Sequence, residues 1–258
     1  MATVSVADII TRMVERSGYE SSAPGFTSDA ERLRLCNALY RQLYNKLVDA
    51  RGAEYFALAT TFDTAAGVGV YPIATATGSG GCGMPRFFEL LSIHIRANGV
   101  VRVMRQWEYG ELDALIRLDL YGSRSWANIR YRVTDVNIEF IPKPDAVYTI
   151  MVRYVPTALE LVTSSPVVGT SSTTIDGING FEDWIVVAGA IAIREKAEHG
   201  DTSGLMAELA RFDEQIEYLK SKRNAANAPR IVSRGNAWSL ETFPLPFGFT
   251  DTDDRWGS

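Results

Sequence analysis

The residues able to do chemistry are few and scattered. The chain has two histidines, His94 and His199, and two cysteines, Cys36 and Cys82. None of them stands at zinc-ligand spacing from another, or in a close motif with Asp or Glu. His94 lies in Leu91-Ser92-Ile93-His94-Ile95, where strand alternation points it at solvent or a partner. His199 sits beside Gly200 at the end of a predicted helix, where an imidazole meets the negative end of the dipole. Cys36 falls on the apolar face of a predicted helix and reads as a buried thiol. Cys82 reads as a free thiol in a Gly-rich loop.

Gly78-Ser79-Gly80-Gly81-Cys82-Gly83 has the composition of a phosphate cradle. It lacks the Lys-Ser/Thr of a P-loop and runs toward a strand rather than a helix, so a mobile loop is the expectation. There is no G-x-S-x-G elbow and no G-x-G-x-x-G opening a helix. Asp251, Asp253 and Asp254 lack the Gly and the later Glu of an EF-hand and read as a solvated acidic tip. The expectation is no catalytic site, no cofactor and no metal.

Composition bounds the rest. At 258 residues the chain could hold one large domain or two small ones, and with 46% hydrophobic and 10% aromatic residues it can bury a real core. With 26 basic and 31 acidic residues the net charge is −5, which disfavours a surface that grips nucleic acid. No disulfide framework is evident, so a reducing cytoplasm suits folding. The N-terminus lacks a signal-peptide layout, and the most apolar run, Trp184 to Ile193, is too short for a bilayer, which takes roughly 20 residues.

The pattern predicts an α+β chain. A first helix spans about 5–17, capped by the Ser5/Asp8 pair and stopped at Gly18. A second spans about 29–51, opened by a Ser28/Glu31 capping box, with Cys36, Leu39, Tyr40, Leu43, Leu47 and Val48 along one face, and ended by Gly52. Tyr55–Phe62 and Val68–Ile73 read as a hairpin around Asp63–Gly67. Phe87–Ala97, Asn98-Gly99 and Val100–Arg105 read as a type I′ hairpin. Glu108–Leu120 reads as a short helix. Asn128–Ile141 and Val147–Val155 read as a third hairpin, looped at Pro142-Lys143-Pro144-Asp145, with the second strand central. Thr163–Gly180 is a polar connector. A helix apolar nearly all round covers Trp184–Ile193, and a last one runs from Asp201 or Ser203 to about Asn227, roughly 35–40 Å.

The simplest packing joins helices from both chain ends into one bundle. It takes residues 1–53 and 161–227, with an antiparallel β-rich domain, 54–160, inserted between them. Leu39, Leu43, Leu47, Trp184, Ile191, Leu209, Phe212 and Ile216 are the expected bundle core. Arg12, Arg16, Arg32, Arg34 and Arg41 read as a solvated helix face, or as a docking surface for an acidic partner. Lys220, Lys222 and Arg223 complement a helix C-terminus and need no ligand.

Residues 228–258 form an aperiodic tail with Arg230, Ile231, Trp238, Phe243, Phe247, Phe249 and Trp256. A tail so loaded with aromatics and without a period of its own cannot build a private core. The expectation is a strap that packs on another subunit.

This order resembles the head–tail adaptor (connector, head-completion) proteins of tailed bacteriophages, most of all the larger ones with a β-domain. Cys36-Asn37-Ala38-Leu39-Tyr40 is similar to the family's second helix. Trp107-Glu108-Tyr109-Gly110, and Ile141-Pro142-Lys143-Pro144-Asp145-Ala146-Val147-Tyr148 leading to Val152-Arg153-Tyr154-Val155-Pro156, are similar to its β-domain hairpin. Phe181–Ala190 with Lys196-Ala197-Glu198 is similar to its third helix, and Arg223 followed by Pro229-Arg230-Ile231-Val232 to its tail. Val232-Ser233 departs from the acidic Asp-Val phrase often found there.

The resemblance implies a dodecameric ring in the virion neck, made in the bacterial host cytoplasm. Its strap, through Arg230, Ile231, Trp238, Phe243, Phe247, Phe249 and Trp256, would bind the portal protein. The β-domain would face a downstream tail or nozzle protein and possible tail fibres, and genomic DNA would pass ungripped through the channel, with no membrane involved. The other readings are a neck, tail-tube or nozzle component, or a carbohydrate-binding or enzymatic β-domain using Tyr55, Tyr71 and Trp126.

Overall fold

The computed structural model describes residues 4–18, 28–120, 126–168, 170–175, 180–197 and 201–226. The fold is mixed α+β, and the described residues form five α-helices and several antiparallel sheets.

The helices start and stop where local chemistry dictates. Helix α1 is Val6–Ser17; Ser5 Oγ accepts from the Asp8 N–H, and Gly18 closes the helix at φ 68°. Helix α2 is Asp29–Arg51; Ser28 Oγ accepts from the Glu31 N–H, and Gly52 ends it at φ 93°. Such an N-cap is worth about 1 kcal/mol. Helix α3 is Leu112–Leu120, preceded by a 3-10 turn that Glu108 caps. Helix α4, Glu182–Lys196, is buried along most of its surface, and α5 is Ser203–Ala226. The Asp201 carboxylate accepts from both the N–H and the hydroxyl of Ser203, which opens α5.

Helices α1, α2, α4 and α5 pack on one another and share one apolar core. Val6, Ile9 and Met13 of α1, Leu43 and Leu47 of α2, and Trp184 and Ile185 of α4 lie in it. Each such side chain contributes about 1.5–3 kcal/mol on burial. The connector 157–175 is tied to the start of α1 by one strand pair and to itself by another. Strand β1 (Val4–Ser5) pairs with β11 (Thr174–Ile175), and β9 (Glu160–Leu161) pairs in parallel with β10 (Ser171–Ser172).

The remaining strands form two larger sheets. One has the order β2 (Leu58–Asp63), β8 (Thr149–Pro156), β4 (Phe87–Ala97), β5 (Val100–Val103). The other has the order β3 (Val70–Pro72), β7 (Asn137–Ile141), β6 (Arg130–Thr134). Phe62, Ile93, Ile95, Ile150 and Val152 of the first sheet and Tyr71, Ile138 and Phe140 of the second share a second core. The two cores meet where Tyr44 and Val48 of α2 touch Val155 of β8, and the Tyr44 hydroxyl donates to the Pro156 carbonyl at 2.9 Å.

Strand pairing departs from the sequence expectation in two places. Asp63–Gly67 joins no hairpin, because β2 pairs with β8 and β3 with β7. The turn is instead held by the segment before β8: Thr64 N–H donates to the Tyr148 carbonyl, and Gly67 N–H to that of Pro144. Tyr55 lies in a 3-10 turn, Ala53–Phe56, and not in a strand. Likewise Asn128–Ile141 is itself the hairpin β6–β7, turning at Asp135 with φ 48°, and the chain then crosses to the other sheet as β8. Strand β8 is central, between β2 and β4. The Asn98-Gly99 turn has φ of 51° and 78°, as a type I′ hairpin needs.

Candidate interaction surface

The Gly-rich loop is a fixed support. Cys82 N–H donates to the Pro72 carbonyl, Gly83 N–H to Thr75 and Met84 N–H to Ile73. A Cβ on Gly81 would lie 2.2 Å from the Thr75 carbonyl oxygen, so only glycine fits that approach. The mobile loop expected from composition is thus replaced by a turn laced to β3. Cys82 and Cys36 are both buried and free of disulfide, and burial pushes both thiols up to about 12. At neutral pH they are protonated and poor nucleophiles.

Other groups with chemical potential are engaged structurally. His94 is half-buried on β4, its Nε2 3.1 Å from Ser92 Oγ. His199 lies outside the described residues. Among the described residues, no group of three His, Cys, Asp or Glu is placed to hold a metal ion. Tyr71 is buried, and its hydroxyl accepts from the Ala65 N–H at 2.7 Å, so it offers no sugar platform. Tyr55 is exposed beneath the Arg51 guanidinium, and Trp126 is half-buried at a cavity rim. No helix of the described residues is long and apolar enough to cross a membrane.

The expected core residues are placed as follows. Leu39, Leu43, Leu47, Trp184 and Ile216 lie in the helical core, Leu209 and Phe212 pack against it, and Ile191 is buried. Arg12 pairs with Asp183 and Arg16 with Glu208 at 2.9 Å, tying α1 to α4 and α5. Those two arginines are therefore cross-helix ties. Arg32 pairs with Asp29 on its own helix at 3.2 Å. The residues expected to form a strap, Arg230, Ile231, Trp238, Phe243, Phe247, Phe249 and Trp256, lie outside the described residues.

Near the end of α5, its basic residues reach a neighbouring helix. Lys220 Nζ meets Asp49 Oδ2 at 2.7 Å, and Arg223 Nη1 donates to the Asp49 carbonyl at 2.5 Å. They grip the C-terminal end of α2, supplying a cation and a donor to its open carbonyls. The Asp49 carboxyl is held below its ordinary range, chiefly by the hydrogen bond from Lys220. Two turns earlier on α5, Asp213 accepts from both Lys46 at 2.7 Å and Trp184 Nε1 at 2.9 Å.

Beside this clamp lies a groove of about 360 Å³ lined by Asn45, Val48, Asp49, Ala53, Phe88, Glu89 and Arg223. Phe88, which lines it, is exposed.

A second surface lies at the β5 edge of the four-stranded sheet. Val101 and Val103 are 52% and 58% exposed. Behind them a cavity of about 130 Å³ is walled by Arg102, Arg105 and Arg130 over Ile95, Met104, Leu115 and Ile129. Arg130 is held by Glu111 at 2.6 Å, and Arg102 donates to the Ala127 carbonyl. Nearby, Arg132 stacks 3.6 Å over Tyr109 and 5.0 Å over the buried Trp107.

No family model matches the chain, and no characterised protein matches it in sequence.

Proposed function

We propose that this chain is a structural adaptor of a tailed-phage virion, a non-enzymatic ring subunit joining portal to tail. The observation that carries the reading is the α2–α5 clamp. Lys220 and Arg223 fix the end of α5 on α2, only a few residues before Pro229-Arg230-Ile231 and the aromatic stretch to Trp256. A segment meant to carry load to another molecule needs such a rigid root, because flexibility at the root would dissipate the binding free energy as ordering entropy. In this reading the helices of both chain ends form the bundle around the channel, and the residues beyond 227 are the strap.

Its Arg, Trp and Phe residues are the types that anchor interfaces, and their contacts lie on other molecules of the assembly, the portal foremost. The β-rich segment faces the next tail component. A net charge of −5 suits a ring of about twelve copies through which DNA must slide without being held.

The test compares the full chain with one ending at 228, using portal rings of the same virus. The expected result is co-sedimentation and a ring in negative-stain images for the full chain. The shortened chain should keep its helical circular dichroism but stay free of the portal. Undiminished attachment of the shortened chain overturns the reading.

A further inference from the structure

Strand β5 is an open sheet edge with a defined set of free backbone groups. Val100 closes the two-residue turn against Ala97, and the Met104 N–H donates to the Ile93 carbonyl at 2.8 Å. Bonded and non-bonded pairs alternate along an antiparallel ladder, so Val100, Arg102 and Met104 bond inward to β4. The N–H and C=O of Val101 and Val103 therefore point away from the sheet. Among the described residues nothing bonds to them. The window is bounded on one side by Asn98-Gly99. On the other, Tyr131 takes over the backbone: its N–H donates to Arg105 and its carbonyl accepts from Trp107.

Charge marks what fits this window. Arg102 lies within the window, on the face that carries Met104, while Arg96 lies opposite Val101 on the other face. Glu111 offsets Arg130 and, through its charge, Arg105, but no acidic group among the described residues bonds to Arg102. Strand β5 itself reads Val-Val-Arg-Val, without an acid. An added strand should thus alternate β-branched residues with carboxylates, at period two.

The chain carries one such segment, Phe249-Thr250-Asp251-Thr252-Asp253. We propose that β5 is the docking edge for this acidic segment of a neighbouring copy, added antiparallel with Asp251 opposite Arg102. Thr250 and Thr252 then pair with Val103 and Val101 through the two free sets of backbone groups. Asp251 falls at a non-bonded pair, the closest side-chain approach in a ladder, and meets the Arg102 guanidinium. Phe249 falls on the same face, over the cavity that Met104 and Leu115 floor.

Length permits the exchange. From Ala226 to Asp251 an extended chain spans about 80 Å, against roughly 45 Å for the diameter of a folded chain of this size. The edge is also remote from the helices: β5 is the outermost strand on the side away from β2, which follows α2. A head-to-tail contact of this kind closes into a ring when its rotation permits. The inference goes beyond the adaptor reading and does not depend on it, since it concerns two copies of this chain alone.

The experiment uses full-length chains. One batch carries Arg102→Cys, a second Asp251→Cys, and a control batch carries Asp135→Cys on the β6–β7 turn. Both native thiols are buried and do not compete. Under mild oxidation, the Arg102→Cys and Asp251→Cys mixture should form disulfide-linked pairs of chains at least about tenfold faster than the control mixture, because docking raises the local thiol concentration. Equal rates in the two mixtures overturn the proposal. So does a doubly substituted chain that closes the bond only within itself. A charge exchange gives an independent readout without new thiols. Arg102→Glu or Asp251→Arg alone should weaken self-association in sedimentation by about tenfold, and the two together should restore it. Failure of the double variant to recover also overturns the pairing.

Discussion

The carboxamide of Asn37 pairs with both backbone groups of Leu161. Nδ2 donates to the carbonyl at 2.9 Å and Oδ1 accepts from the N–H at 2.7 Å, while Nδ2 also donates to the Leu33 carbonyl at 3.1 Å. One side chain on α2 thus stands in for a strand partner and fixes the point at which the chain returns from the sheets to the helices. Asn37→Ala leaves the two backbone groups of Leu161 without that partner. The expected loss is about 1–3 kcal/mol of stability, read from urea unfolding. Asn37→Asp keeps the acceptor but sets a carboxylate oxygen against the Leu33 and Leu161 carbonyls, so at neutral pH it should cost at least as much as Asn37→Ala.

Helices α1 and α4 touch through Met13 and Gly189. A Cβ on Gly189 would lie 2.0 Å from Met13 Cε, and Met13 is fully buried. Gly189→Ala should therefore destabilise by about 1–3 kcal/mol through overpacking. Met13→Ala alone opens a cavity, but it makes room for the new methyl. The double variant should be less destabilised than the sum of the singles, a coupling that a double-mutant cycle of thermal or urea melts measures.

Acid should loosen the end of α5 early. The Asp49 carboxyl is held below its ordinary 3.8, first by the Lys220 hydrogen bond. Because the folded value is the lower one, the contribution is complete above 3.8 and is lost as pH falls through the folded value. Amide exchange of the final turns of α5 should accelerate below that range before α1 and α4 respond. Asp49→Asn should remove the pH dependence.

Alkali acts with the opposite sign. Burial pushes Cys36 and Cys82 from 9.0 up to about 12, and the Asp145 hydrogen bond raises Tyr148 to about 12. Each folded value lies above the unfolded one, so the contribution is full below the unfolded values and is lost as pH rises toward 12. Denaturant midpoints should fall steadily from about pH 9 upward. A Cys36→Ala, Cys82→Ala chain should show a shallower decline. In the native protein at neutral pH, neither thiol should react with an aromatic disulfide reagent faster than the chain unfolds.

Local signals were readable in the sequence and long-range pairing was not. Ser5, Gly18, Ser28 and Gly52 bound their helices because caps act over a few residues. Asn98-Gly99 fixed its hairpin for the same reason. Turn length suggested that Asp63–Gly67 and Pro142–Asp145 close hairpins, yet both connect one sheet to the other. A turn's length limits where a strand can go without saying which neighbour it takes. Two-residue strands such as Val4–Ser5 and Thr174–Ile175 have no period to detect. At the candidate surfaces, Lys220 and Arg223 announced a helix end correctly but not whose end: they serve α2. The β5 edge hid in a hairpin legible by itself, because exposure of Val101 and Val103 depends on no other strand arriving.

Leu58 and Tyr154 are ladder partners, so the chain leaves the helices and comes back to them at neighbouring points, about one strand spacing apart. Everything between could be cut out and the ends spliced by two or three glycines with little strain. The same doorway would accept a foreign module of any size whose own termini lie close together. A lineage could then exchange what hangs from this protein while leaving its helices, and whatever they hold, undisturbed.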